Sequence, residues 1–170
     1  MTYEKNNNIT PTQVGVRYGL FSGLASVIIS LVSFIADLRE NSAIGILSTA
    51  VTIAFLVMAM KYFRDQNSGF MKFGQGFGIG MIVSAISSLL SGAFLIVYFK
   101  FINSKMLDEI SDKAHQEWEK AGLDDKQIAM AEKFISAEFM FLTAVFGGLI
   151  FGAILSLIVA AIMQKKQPEF

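Results

Sequence analysis

Cysteine is absent from this 170-residue chain, which also has only one histidine and two prolines. Without cysteine there is no disulfide, no thiol nucleophile and no cysteine-ligated metal. A single histidine leaves few pairs of a nucleophile and a base, and no HExxH spacing typical of metalloproteases occurs. We therefore expect no enzyme active site, no metal and no bound cofactor.

Charged residues are also scarce, at 16% of the chain against ~25% in ordinary soluble domains. The formal net charge is zero, so no basic surface field points to nucleic acid as a partner. Hydrophobic residues make up 54% of the chain instead. This composition favours a membrane protein.

Four long stretches contain no ionisable side chain. They comprise 19, 20, 27 and 26 residues and lie between Arg17 and Asp37, Glu40 and Lys61, Lys72 and Lys100, and Glu138 and Lys165. A helix needs about 20 apolar residues to cross a hydrocarbon core of ~30 Å, so all four qualify. The sequence predicts an all-α integral membrane protein with a single domain, 1–170, and transmembrane helices at about 16–36, 43–62, 77–99 and 139–163.

The first fifteen residues are polar and include Pro11. We expect a non-helical tail here, because proline disfavours a helix that starts before it. The first span could instead be a cleaved signal peptide. Its apolar stretch is longer than a usual signal core, and no small-x-small cleavage site follows at 35–39, so a retained anchor is favoured.

Small residues recur at four-residue spacing in three of the spans. Such stripes let helix backbones approach closely, which matters in lipid because no hydrophobic force drives helices together. The predicted helix-packing positions are Gly19, Gly23, Gly76, Gly80, Ser84, Gly148 and Gly152. For the first span, a dimer face is the alternative to packing within one subunit.

The run GQGFGIG at 74–80 superficially resembles a nucleotide-binding loop. A dinucleotide fingerprint needs a preceding strand, and a phosphate-binding loop needs a Gly-Lys-Ser/Thr ending. Neither is present, so close helix packing accounts better for the glycines. A polar path lined by the serines of the third span stays open as an alternative; these are Ser84, Ser87, Ser88 and Ser91.

The segment 103–137, between spans 3 and 4, predicts an extramembrane amphipathic helical hairpin. Leu107, Ile110 and Trp118 recur on one face of its first helix. Gly122 suits the left-handed position after that helix, and Asp124 with Gln127 resembles a capping box for a second helix, which could continue straight into span 4.

The net charge of the hairpin indicates which kind of surface it contacts. From 105 to 133 there are five lysines against eight acidic residues, a net charge of −3. A helix that lies on anionic lipid would be rich in lysine and arginine. We therefore expect the hairpin to fold over the mouth of the bundle or onto a partner, with Leu107, Ile110 and Trp118 as candidate partner-surface residues.

Basic residues in the short flanks predict the orientation. One side carries seven of them and the other has only Arg39 in its short loop, besides the acidic hairpin. The positive-inside rule then predicts that both termini are cytoplasmic and that the hairpin lies outside. The predicted location is an inner (cytoplasmic) membrane.

Several stretches together resemble one bacterial family. They are the small-residue first span, FRDQNSGFMKFGQGFGIG at 63–80, ISSLLSGAFLIVYFKFIN at 86–103, AGLDDKQI at 121–128 and LSLIVAAIMQKK at 155–166. They resemble domain-of-unknown-function family 4199, whose members are small four-span membrane proteins. The resemblance covers nearly the whole chain and implies location and topology, but its motifs are structural and carry over no functional residue.

Two functions are compatible with these features. The favoured one is a structural or interaction component of the membrane, whose partners are the lipid bilayer and either a second copy of the chain or another membrane protein. The alternative is a small-solute transporter or channel subunit. Coupled transport usually keeps an ionisable side chain near the bilayer centre, and here all such residues lie at span ends.

Overall fold

A computed structural model describes residues 9–39 and 41–166, and within them the chain forms six α-helices and no strand. The helices are α1 (Pro11–Ile35), α2 (Ser42–Gln66), α3 (Phe73–Val97), α4 (Lys105–Lys120), α5 (Asp125–Glu132) and α6 (Ala137–Met163), and a π-helical turn (Tyr98–Ile102) extends α3. Helices α1, α2, α6 and the extended α3 are long and apolar enough to cross a membrane. The prediction of an all-α membrane protein with four long apolar helices is confirmed.

Helix α1 begins earlier than the sequence predicts. Pro11 occupies its first turn, where a missing N–H costs nothing, and Thr10 is its N-cap. The Thr10 hydroxyl accepts from the Gln13 N–H at 3.2 Å, while the Gln13 side chain accepts from the Thr10 N–H at 3.1 Å. The expectation of a non-helical tail is therefore wrong for 11–15; residues 1–8 lie outside the described part of the chain.

The turn between α2 and α3 is short because α2 continues to Gln66. Ser68 and Gly69 follow it with φ of 55° and 82°, the left-handed conformation that reverses the chain. Met71 and Lys165 then exchange two backbone hydrogen bonds of 2.9 and 2.8 Å. This pairing ties the turn to the chain that leaves α6.

Two apolar clusters lie at opposite ends of the bundle. The first, here the basic-end cluster, includes Leu56, Met60 and Phe63 of α2 packed against Ile79 of α3, each no more than 1% exposed. The second, the hairpin-end cluster, is built from the following residues: Tyr98, Phe99, Met106 and Ala137. Met106 is the contribution of α4, so the first turn of the hairpin closes one end of the bundle.

The hairpin itself has well-defined caps. Gly122 has a φ of 76°, and the Leu123 N–H returns to the Trp118 carbonyl at 3.1 Å, which ends α4. The Asp124 carboxylate accepts from the Gln127 N–H at 2.8 Å and begins α5. The expectation that this second helix continues into span 4 is wrong, because Ser136 caps α6 separately, accepting from the Phe139 N–H at 3.1 Å.

Candidate functional site

Helices α1 and α3 run parallel and pack through the glycines of α1. A β-carbon placed on Gly15 would lie 2.7 Å from the Ile82 β-carbon, and one on Gly19 would lie 2.9 Å from that of Ile86. Gly23 meets Leu90 in the same way, one turn further along. Because an added β-carbon would clash at these three positions, the glycines allow the two helices to pack closely.

Helices α3 and α6 are antiparallel and pack glycine against serine. The pairs occur at four-residue steps along both helices: Gly80 with Ser156, Ser84 with Gly152, and Ser88 with Gly148. Gly76 continues the register by facing Ala160. Each serine fills the notch left by a glycine, so the pattern fixes the relative position of the two helices. We call these three pairs the Gly–Ser ladder.

The structure thus brings every predicted packing position to an interface within one chain. Gly19 and Gly23 lie between α1 and α3, and the other five lie between α3 and α6. Other glycines do not take part: a β-carbon on Gly74, Gly78 or Gly147 would have no atom within 4 Å. The GxxxG pair Gly74/Gly78 therefore faces away from the described chain.

A hydroxyl-lined cavity of about 150 Å³ lies between the two clusters, near the middle of all four long helices. The four serines named as a candidate polar path line it together, with Ser22 and Ser26 of α1 and Thr52 of α2 opposite. We call this space the hydroxyl cavity. The contribution of Thr52 could not be read from the sequence, because its spacing does not show which helix it faces.

The three candidate partner-surface residues have different surroundings. Leu107 and Ile110 pack against the hairpin-end cluster of their own chain. Trp118 lies two turns beyond Ile110 on α4, where its ring is 5.5 Å from that of His115. The first half of α4 is therefore attached to the bundle, and Trp118 belongs to the part that extends beyond it.

Polar contacts hold the hairpin in place. The His115 Nε2 lies 2.8 Å from the Glu132 carboxylate and joins α4 to α5. Arg39, in the loop between α1 and α2, lies 2.9 Å from Asp37 and 3.6 Å from Glu109 of α4. The hydrogen bonds that the Arg39 guanidinium donates to the Asp37 carboxylate raise the pKa of Arg39 above its ordinary value. The base of the hairpin is thus attached both by packing and by charge.

At the opposite end of the bundle, basic side chains surround the chain reversals. Arg17 lies over the Tyr62 ring at 5.5 Å, and Arg64 donates to the Met163 carbonyl at 3.4 Å. Lys165 lies over the Phe70 ring at 5.9 Å. This basic end and the acidic hairpin lie at opposite ends of the four long helices. No group of three His, Asp or Glu side chains that could hold a metal ion occurs among the described residues.

Four long apolar helices, closed by apolar clusters at both ends and packed through glycine and serine, define a small multi-pass membrane protein. The family model described as "Protein of unknown function (DUF4199)" matches residues 17–165, and the chain belongs to that family. The match includes all of α2 to α6 and most of α1. No curated protein and no solved structure matches the chain.

Proposed function

We propose that this protein is an interaction component of the bacterial inner membrane, in which the four long helices anchor a hairpin that recognises a partner outside the membrane. The observation that carries the proposal is that the two halves of α4 have different surroundings. In its first turns Met106 is buried in the hairpin-end cluster and Leu107 and Ile110 pack against it, and no residue of its second half or of α5 belongs to that cluster. We call the second half of α4 together with α5 the outer hairpin; its base is attached to the bundle through the first turns of α4.

The outer hairpin has the properties of a recognition surface. It is ordered by its own contacts, the His115–Glu132 hydrogen bond and the Asp124 cap, so little entropy would be lost on binding. Met130 and Phe134 are 58% and 55% exposed, so both offer apolar surface to a partner. Because acidic residues outnumber lysines by eight to five, the complementary partner has a basic surface.

The orientation belongs to the same proposal. Lys61, Arg64 and Lys72 lie at one end of the bundle and the acidic hairpin at the other, which supports a cytoplasmic basic end under the positive-inside rule. Because α1 begins and α6 ends at the basic end, both termini would then be cytoplasmic. The partner would meet the hairpin on the outer face.

Site-specific photo-crosslinking in the native cells tests the proposal. A photoreactive residue at Gln116, at Trp118 or at Met130 should yield one adduct of the same mass. The matched control is Ile150, which is 65% exposed on α6 and faces lipid; it should not yield that adduct. The adduct should also diminish when Glu117 and Glu119 are replaced by lysine.

Each result has a definite meaning. An adduct with twice the mass of the chain identifies the partner as a second copy, and any other single mass identifies a different protein. No adduct from the three hairpin positions, or the same adduct from Ile150, would contradict the proposal. If the charge-reversal variant is not produced, the band of the uncrosslinked chain will be missing as well as the adducts. In that case Glu117→Gln replaces the charge-reversal variant.

A further inference from the structure

The hydroxyl cavity lies between the two apolar clusters and is open on part of its surface. Val83, which lines it, belongs to the basic-end cluster, and Phe94 and Tyr98, further along α3, belong to the hairpin-end cluster or pack against it. The side of the cavity formed by α2 is the least tightly packed, since no residue of α2 before Leu56 is buried. Seven hydroxyl side chains thus surround a space near the centre of the bundle.

Most of these hydroxyl groups already donate a hydrogen bond to a backbone carbonyl. Ser26, Thr52 and Ser84 donate to backbone carbonyls of their own helices at 2.9, 2.9 and 2.8 Å. Ser87 donates at 3.1 Å to the Gly19 carbonyl of α1. A hydroxyl has one proton but two lone pairs, so the wall of the cavity presents hydrogen-bond acceptors.

Ser22 stands apart from this pattern. It lines the cavity and is only 1% exposed, and its hydroxyl has no hydrogen-bond partner. A buried polar group without a partner costs about 1–3 kcal/mol. Such a group is rare in native structures. Among the described residues Ser22 and Ser156 are in this state, and of the two only Ser22 lines the cavity, where an occupant could bond to its hydroxyl.

The cavity also excludes charged occupants. None of the residues that line it is ionisable, so nothing would compensate the desolvation of an ion at this depth. A volume of about 150 Å³ is that of a cavity that admits a benzene-sized molecule when its walls are apolar. With hydroxyl walls, the matching occupant has similar size and is polar.

We propose that the hydroxyl cavity binds a small uncharged solute of about six heavy atoms or fewer that carries several hydrogen-bond donors, as polyols and simple amides do. The juxtaposition of Ser22 with the four serines of α3 supplies the acceptors. This site is independent of the hairpin and its partner. It is also the feature of the fold that would serve transport, because it lies midway between the two ends of the bundle.

Binding to the intact protein in lipid nanodiscs tests the proposal, with glycerol and urea as probes and saturation-transfer NMR as the readout. Both probes should give saturable transfer above that of empty nanodiscs. Ser22→Ala should weaken binding about fivefold, the effect of one neutral hydrogen bond. Ser88→Leu should abolish binding by filling the cavity. The matched control is Thr49→Ala, since Thr49 bonds within α2 at 2.9 Å and lies outside the cavity.

The outcomes separate cleanly. Saturable binding of either probe that falls in Ser22→Ala and persists in Thr49→Ala supports the site. Equal saturation transfer in all variants would show that the probes partition into lipid, and it would overturn the proposed site. Saturation transfer from water with no binding of either probe would also overturn it. If Ser88→Leu fails to fold, Ser22→Ala against Thr49→Ala decides the question, because both are small deletions that keep the helices intact.

Discussion

Ser84 of α3 lies against Gly152 of α6, while its hydroxyl donates at 2.8 Å to the Gly80 carbonyl within its own helix. The same residue thus fills a notch in the neighbouring helix and satisfies its own polar group locally. Ser156 faces Gly80 one step along the Gly–Ser ladder and is fully buried. At Ser84 the two helices therefore approach closely without an unsatisfied donor, whereas the buried Ser156 hydroxyl has no hydrogen-bond partner among the described residues.

Filling one notch of the ladder should destabilise the bundle. In Gly152→Leu the new side chain would overlap Ser84, so we expect a loss of about 1–3 kcal/mol in the free energy of unfolding, as for overpacked cores. The measurement is unfolding in mixed micelles of increasing denaturing detergent.

The control for this prediction is Gly147→Leu. Gly147 has no atom within 4 Å of an added β-carbon and is exposed, so leucine there would meet lipid. Leucine is favourable in that environment, and the variant should be as stable as the parent or more so. Equal destabilisation by both variants would show that the loss comes from leucine itself rather than from the Gly152–Ser84 contact.

The hydrogen bond from Ser87 to Gly19 should make a small, measurable contribution. It joins α3 to α1 at 3.1 Å, and interhelical bonds of this kind contribute about 0.6 kcal/mol on average in membranes. Ser87→Ala should lower stability by about that amount in the same unfolding assay. Ser26→Ala serves as the comparison, because Ser26 donates at 2.9 Å within its own helix; a larger loss there would contradict the assignment.

The cap of α5 should control local opening of the hairpin. Asp124→Ala removes the acceptor for the Gln127 N–H at 2.8 Å, a change that costs about 1 kcal/mol at helix N-caps. Amide hydrogen exchange in α5 should therefore speed up about fivefold, with little change in α1 to α3. Asp125→Ala, one residue into the helix, removes a carboxylate but no cap and should leave exchange in α5 nearly unchanged.

Attachment of the hairpin should depend on Met106. Its side chain is 3% exposed in the hairpin-end cluster, so Met106→Ala should cost about 2 kcal/mol or more and free the first turns of α4. Limited proteolysis within 105–120 measures this release. Met130→Ala, at a methionine that is 58% exposed, should leave the cleavage rate unaltered; faster cleavage in that variant alone would place the attachment elsewhere.

The sequence predicts much of this fold because lipid imposes simple rules. Uncharged stretches long enough to cross the bilayer identify α1, α2, α3 and α6, and their glycines mark faces that allow close approach. Gly122 and Asp124 locate the hairpin turn because each has a specific backbone role. These are local signals, and they need no knowledge of which helices are neighbours.

The sequence does not show which helices pack against each other. Nothing in the spacing of Gly80 and Gly152 shows that α3 faces α6, or that Ser22 and Thr52 complete the hydroxyl cavity. The error at the N-terminus has a different cause. Proline breaks a helix in its interior, but Pro11 lies in the first turn of α1, where it is well suited because Thr10 caps the helix.

In the proposed topology the four long helices cross the membrane with the basic end inside and the hairpin outside. Because the chain lacks cysteine, single-cysteine labelling with a membrane-impermeant maleimide in intact cells tests this directly. Gln116→Cys in α4 should be labelled in intact cells, and Asp65→Cys at the basic end should be labelled only after the cells are opened. Labelling of Asp65→Cys in intact cells, or of both positions from the same side, would contradict the account.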